Sequence, residues 1–201
     1  MLLNRSVKLR LSLSLGLCIM LLIAIGMVGI ISTSSVRENL EQTYNQNLIP
    51  LLDLATVHES LMNTRIKITA AQRDRDANRA RKMLDEVKEN DLKIDQYWAD
   101  YFPQRISGDK ERAIAERFQE SLKALRANLG ELNALMIAGD FDQANLLANG
   151  AVGEGYTKTQ DLISALVTRN REQADAHYNQ ALANYQGSRN VVIGLMVVSV
   201  L

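Results

Sequence analysis

The sequence predicts an all-α protein, an antiparallel up-down-up-down four-helix bundle whose two long legs are continuous with transmembrane helices. Three observations predict it. Apolar residues recur at spacings of three and four through four successive segments, the period of one helix face. Between residues 32 and 189 the chain is rich in Ala, Leu, Gln, Asn, Arg and Glu and sparse in aromatic and β-branched types, with only Pro50 and Pro103 interrupting, a composition that favours helix over strand. Finally, no formal charge occurs from Leu11 to Val36 or from Val191 to Leu201, so an apolar run flanks the polar middle on each side.

The first run, Leu11 to Ile31, is long enough to cross a hydrocarbon core of about 30 Å at roughly 1.5 Å per residue. Arg5, Lys8 and Arg10 precede it, and no acidic residue occurs before Glu38. That positive excess keeps residues 1–10 cytoplasmic, with 11–31 as the membrane helix. Residues 32–189 then form one domain outside the cytoplasm, and residues 190–201 begin a second membrane helix, too short to span alone. A signal peptide has a shorter apolar core, about 7–15 residues, and a small-residue cleavage site. Ile31-Ser32 offers no A-x-A pattern, which favours an uncleaved anchor over cleavage at Ser32. Cys18 follows bulky Leu17, where lipid attachment requires a small residue, and reads as an ordinary membrane-helix residue.

Helix one of the domain carries Leu48, Leu51, Leu52, Leu54, Ala55, Leu61, Met62, Ile66, Ile68 and Ala71. Pro50 marks a kink or irregular turn in it, because proline lacks the N–H that closes a helical hydrogen bond. The helix ends within Arg73–Asn78, and Asn78 is placed to cap the next. Helix two bears Met83, Leu84, Val87, Leu92 and Ile94, then Tyr97-Trp98-Tyr101-Phe102, and stops at Pro103. Ser107-Gly108-Asp109 turns the chain, with Asp109 as N-cap of a third helix carrying Phe118, Leu122, Leu125, Leu129, Leu132 and Met136. Gly139 closes that helix, and Asp140 caps a fourth from Phe141, loosened locally by Gly150, Gly153 and Gly155. Helices one and four have about 46 and 49 residues and climb about 70 Å each, while two and three have about 25–30 and form a hairpin against the distal half.

Several function classes drop out. A formal net charge of +0 leaves no basic excess to neutralise phosphates, so nucleic acid is not a partner. One cysteine forms neither a disulfide nor a Cys-based metal site. His58 and His177 fall about 13 residues, or about 20 Å, apart in height, too far to share an iron, and no C-x-x-C-H occurs. No metal or cofactor is expected. No nucleophile–base pair, phosphate loop or close carboxylate pair presents itself, so no enzyme is expected either. The aromatic cluster at Tyr97–Phe102 is better read as core closure of the hairpin than as a ligand pocket.

The candidate site centres on Arg65, which stands in an otherwise apolar stripe with Leu61 four residues before and Ile68 three after. A guanidinium on a core-facing stripe must be paired, because an isolated buried charge costs several kcal/mol. Counting equal heights places it opposite Gly155-Tyr156. One reading is a small carboxylate held bidentately by Arg65, with Thr69, Gln72, Tyr156, Thr157 and Thr159 supplying further hydrogen bonds and Arg73 a second charge nearer the tip. The other is an internal salt bridge to Glu154, or an arginine whose head snorkels to water.

A membrane helix, then a long helix containing Asn47-Leu48-Ile49-Pro50-Leu51 and Thr64-Arg65-Ile66, resembles the periplasmic four-helix-bundle sensor of bacterial methyl-accepting chemotaxis proteins. The turn Gly139-Asp140-Phe141-Asp142-Gln143-Ala144, followed by a helix leading to a second apolar run, fits the same family. The likeness spans the chain and rests on organisation more than on strict motif. It implies an inner-membrane receptor with its sensor in the periplasm. It also implies a homodimer packed through the first helices, a small displacement of the fourth as the signal, and a chemotaxis kinase and adaptor downstream of a cytoplasmic part. In the aspartate- and serine-sensing members three arginines hold the ligand carboxylates. Aligned through Thr64-Arg65-Ile66, only Arg65 matches; Ala70 and Asp74 stand at two of those positions, which turns the expectation towards an organic acid and away from an α-amino acid. The same bundle also suits the input of a histidine kinase or cyclic-dinucleotide enzyme, or a structural membrane-anchored bundle, and the residues leave those readings open.

Overall fold

The computed structural model describes residues 7–200, apart from the side chains of residue 8 and residues 198–200. Arg5, the Lys8 side chain and Leu201, which enter the topology expectation, lie outside that description. The chain divides into two compact units, one of residues 1–43 and 174–201, the other of residues 44–173. Among the described residues six α-helices and two π turns account for nearly everything, and no strand occurs.

In the first unit, α1 (Val7–Gln42) holds the apolar run. Its most apolar 18-residue window has a mean hydropathy of 2.7 and no buried residue, so it is long and apolar enough to cross a membrane. Cys18 is exposed on this helix.

A wide π turn, Thr43–Leu48, comes immediately before Pro50, which sits in the first turn of α2 (Ile49–Asp74). Proline offers no N–H to the carbonyl four residues back. A wider turn absorbs that misfit, and the helix runs on from Leu9 to Asp74. Arg75 then adopts a left-handed conformation (φ 49°) and ends it. The cap of α3 (Ala77–Tyr101) is Asp76, not Asn78. The left-handed step at Arg75 makes residue 76 the extended one, and its carboxylate accepts from the Asn78 and Arg79 backbone N–H groups.

After the Phe102–Pro103 bend, α4 (Asp109–Ala138) starts from Gly108 at φ 91°, a conformation that favours glycine. Asp109 therefore falls inside the helix rather than at its cap. The side chain that reaches back is Glu111, whose Oε2 accepts from Ser107 N–H at 2.8 Å. Gly139 (φ 82°) closes α4 in the left-handed conformation, and Asp140 caps α5 (Phe141–Leu147) by accepting from Gln143 N–H at 3.2 Å. The fourth segment is broken and not merely loosened. A second π turn, Ala148–Val152, contains Gly150 at φ −92°, ψ −111°, and only then does α6 (Gly153–Val200) begin.

In the second unit these segments form an antiparallel four-helix bundle. On α4 the buried set is Ala115, Phe118, Leu122, Leu125, Leu129, Leu132 and Met136, an unbroken three-four repeat of the kind that interdigitates with neighbouring helices. Tyr156, Thr159, Ile163, Leu166 and Asn170 supply the matching stripe on α6. On α2 the buried stripe is Leu54, Val57, Leu61, Thr64, Ile68 and Ala71, while Leu52, Ala55 and Ile66, with Leu48 of the preceding π turn, are exposed. The sequence reading had merged two separate faces there. Trp98 packs 4.4 Å from Phe118, 5.5 Å from Tyr101 and 5.6 Å from Phe102 between ring centroids, so the aromatic cluster closes the core.

Three polar rungs interrupt the apolar core. Asn90 donates to Thr64 Oγ1 at 3.3 Å, Ser121 and Thr159 share a 3.0 Å hydrogen bond, and Asn170 donates to Glu111 Oε1 at 2.8 Å. Each rung has its partner at one helix register and loses it at others.

Candidate functional site

Arg65 is exposed on α2. It lies one residue, about 100° of helix rotation, past the core-facing position, which Thr64 occupies. Its guanidinium carbon stands 5.5 Å from the centroid of the Tyr156 ring, a cation–π distance. The ring is buried and the hydroxyl of Tyr156 has no hydrogen-bond partner among the described residues. Burial pushes that phenol's pKa up; the Arg65 charge opposes the shift and Asp91 adds to it.

Beside this pair, Arg65 lines an open groove of about 830 Å³ with Asn149, Glu154, Thr157, Lys158, Asp161 and Arg117. Three cations and two carboxylates therefore share one surface. The salt bridge to Glu154 does not form. Among the described residues Arg65 makes no ion pair. Arginine is the side chain suited to taking a carboxylate through two parallel N–H donors.

Not all the expected site residues meet here. Thr157 lines the groove, with its hydroxyl donating to Gly153 C=O at 3.1 Å. Thr159 faces the core, fully buried between the Gly155 carbonyl at 2.7 Å and Ser121 at 3.0 Å. Thr69 and Arg73 are exposed and Gln72 is half-buried, and none of the three lines the groove. Arg73 lies 3.6 Å from Asp74, which Arg79 also holds at 2.6 Å. The acidic residue at that position is thus neutralised from two sides. Arg117, Asn149, Lys158 and Asp161 were missed, because finding Arg117 requires the register between α4 and α6, which the Ser121–Thr159 rung sets.

Glu111 was missed as well. It is fully buried, and its carboxylate accepts from Tyr101 Oη at 2.5 Å, Asn170 Nδ2 at 2.8 Å, Ser107 N–H at 2.8 Å and Gln173 Nε2 at 3.1 Å. Burial, then the Glu111 acceptor, drive the Tyr101 phenol pKa well above its usual range. The available signal was Asn170, a polar residue on an apolar stripe. In the first unit, His177 borders a polar pocket with Glu38, Asn39 and Gln180. No group of three metal-ligating side chains occurs among the described residues.

The family described as a four helix bundle sensory module for signal transduction matches residues 4–185. The chain belongs to that family. Among curated proteins none matches it.

Proposed function

We propose that the chain acts as the sensory module of a transmembrane chemoreceptor, binds a small organic acid at Arg65 and passes the change along α6. The observation carrying this reading is the guanidinium of Arg65, unpaired beside Tyr156 in a groove with two further cations. Membership of a sensory family supports a signalling role, and the excess of three groove cations over its two carboxylates, Glu154 and Asp161, supports an anionic ligand. Asp74 and Ala70 offer no further cation for an α-carboxylate or a second acid group. Residues 11–31 anchor the chain N-terminus-in, 32–189 sense outside the inner membrane, and 190–201 re-enter it.

A second copy of the chain packs against α2. Leu48, Leu52, Ala55, Met62 and Ile66 fall at steps of three, four and seven on one face, where all but the half-buried Met62 are exposed and Ile66 is 66% exposed. Such a stripe matches the seam of a two-stranded helix pair. Arg65 neighbours it, so dimer formation and ligand binding share one face.

Calorimetric titration of the full chain with organic acids and amino acids tests the ligand class. A charge-assisted pair removed from a desolvated site costs about 2–5 kcal/mol of binding. Arg65→Ala should lose the acid while keeping its helicity. Unchanged affinity in the folded variant removes Arg65 from the site, and a wild-type preference for cations ends the carboxylate reading.

A further inference from the structure

A separate cavity of about 260 Å³ opens among α2, α3 and α4, with no α6 residue in its lining. Leu61, Ile94, Leu122 and Leu125 form its floor, each at most 4% exposed. We propose that it is a second ligand site, for a small uncharged molecule with an apolar body and a single hydrogen-bonding head.

The charges around it decide that chemistry. Arg126 lines the cavity, but it is engaged by Asp91 at 2.8 Å and by Asp95 at 2.7 Å. Lys88, at the rim, is exposed. No unpaired charge faces the apolar floor, so a carboxylate entering here would lose its hydration without gaining a counter-ion. One polar atom does await a partner. Asn133 Oδ1 is buried and makes no hydrogen bond among the described residues. An apolar cavity with one such group suits a phenol-like molecule.

Entry and consequence are also visible. Gly130 lines the mouth, and a Cβ placed there would meet no atom within 4 Å. On the inner side, Leu125 lines the cavity and also lies against α6. A Cβ at Gly155 would stand 3.2 Å from Leu125 Cδ1. An occupant that shifts Leu125 therefore presses on the backbone of the helix that carries Tyr156.

The probe is 4-fluorophenol, followed by fluorine NMR on the full chain in lipid nanodiscs, with empty nanodiscs as the reference. Saturable line broadening is expected for wild type, for Arg65→Ala and for Gly130→Ala. Gly130→Leu, which fills the mouth, should weaken binding at least tenfold with helicity unchanged. If Gly130→Leu does not fold, Val87→Trp blocks the same wall and should show the same loss. Absence of saturable broadening in wild type, or undiminished binding in a folded blocking variant, overturns the site. Displacement of the probe by 4-fluorobenzoate at equal concentration overturns the uncharged class.

Discussion

Glu111 and Arg65 are both charged side chains on one bundle, and their surroundings are opposites. Glu111 is fully buried and accepts four hydrogen bonds, from α3, the following turn and α6. Arg65 is exposed, with an aromatic face beneath it and no ion pair among the described residues, although Glu154 and Asp161 line the same groove. A charge with every bonding direction filled fixes structure, because any movement strands buried donors. A charge left open at a groove is free to meet a ligand. The two positions separate what holds the bundle from what the bundle presents.

The largest expected effect comes from breaking the closed charge. Glu111→Ala leaves Tyr101 Oη and Ser107 N–H without their acceptor and removes one of the acceptors of Asn170 Nδ2, and should cost about 3 kcal/mol or more of stability. Glu111→Gln should recover only part of that, because its amide would turn a donor towards other donors. Denaturant unfolding of both variants measures this. A loss under about 0.5 kcal/mol, the range of ordinary surface substitutions, would put Glu111 with the open charges. By contrast, Arg65→Ala should leave unfolding within that range while losing acid binding. Equal stability losses at the two sites would erase the distinction.

A middle-sized effect sharpens the comparison from the packing side. Gly155→Leu places branched atoms where Leu125 already stands, with Leu125 Cα only 3.8 Å from the added Cβ. Overpacking of this kind costs about 1–3 kcal/mol. Thermal unfolding of the variant should show it, and Leu125→Ala combined with Gly155→Leu should return part of the loss. Independent, additive effects would mean that the two residues do not share one space.

How much of this was legible in the sequence depends on how many helices each feature needs. The α4 stripe from Ala115 to Met136 was readable because that helix carries one apolar face. Gly139 and Asp140 were readable too, since each acts on its own backbone. On α2 the spacing alone misled, because Leu48-Leu52-Ala55 and Leu54-Val57-Leu61 both run at three and four, and periodicity does not say which stripe meets the core. Arg65 was assigned to the wrong one, one residue from Thr64. Asp76 escaped notice because the left-handed step falls on Arg75, a residue type that seldom takes it. Glu111 needs partners from three places in the chain, and the groove cation Arg117 needs a register between two helices. Neither lies in any local pattern.

Asp53 lies between the two extremes and gives the smallest expected effect. It is buried at 6% exposure, and its nearest cation, Arg105 Nε, is 3.6 Å from an Oδ2 that makes no hydrogen bond among the described residues. Burial raises its pKa above the ordinary 3.8; Arg105 opposes this and Asp100 adds to it. A raised carboxyl pKa means that the folded protein takes up a proton before the unfolded chain does. The stability this linkage contributes is fully present below 3.8 and is lost as pH rises through the folded-state value. At neutral pH, then, Asp53 is a charge that the fold has dehydrated more than it has paired. Asp53→Asn should raise the melting temperature at neutral pH, and the gap between variant and wild type should close as the pH falls towards 3.8. Should the variant melt lower at neutral pH, the attraction of Arg105 outweighs burial, and Asp53 joins Glu111 among the charges that hold the bundle.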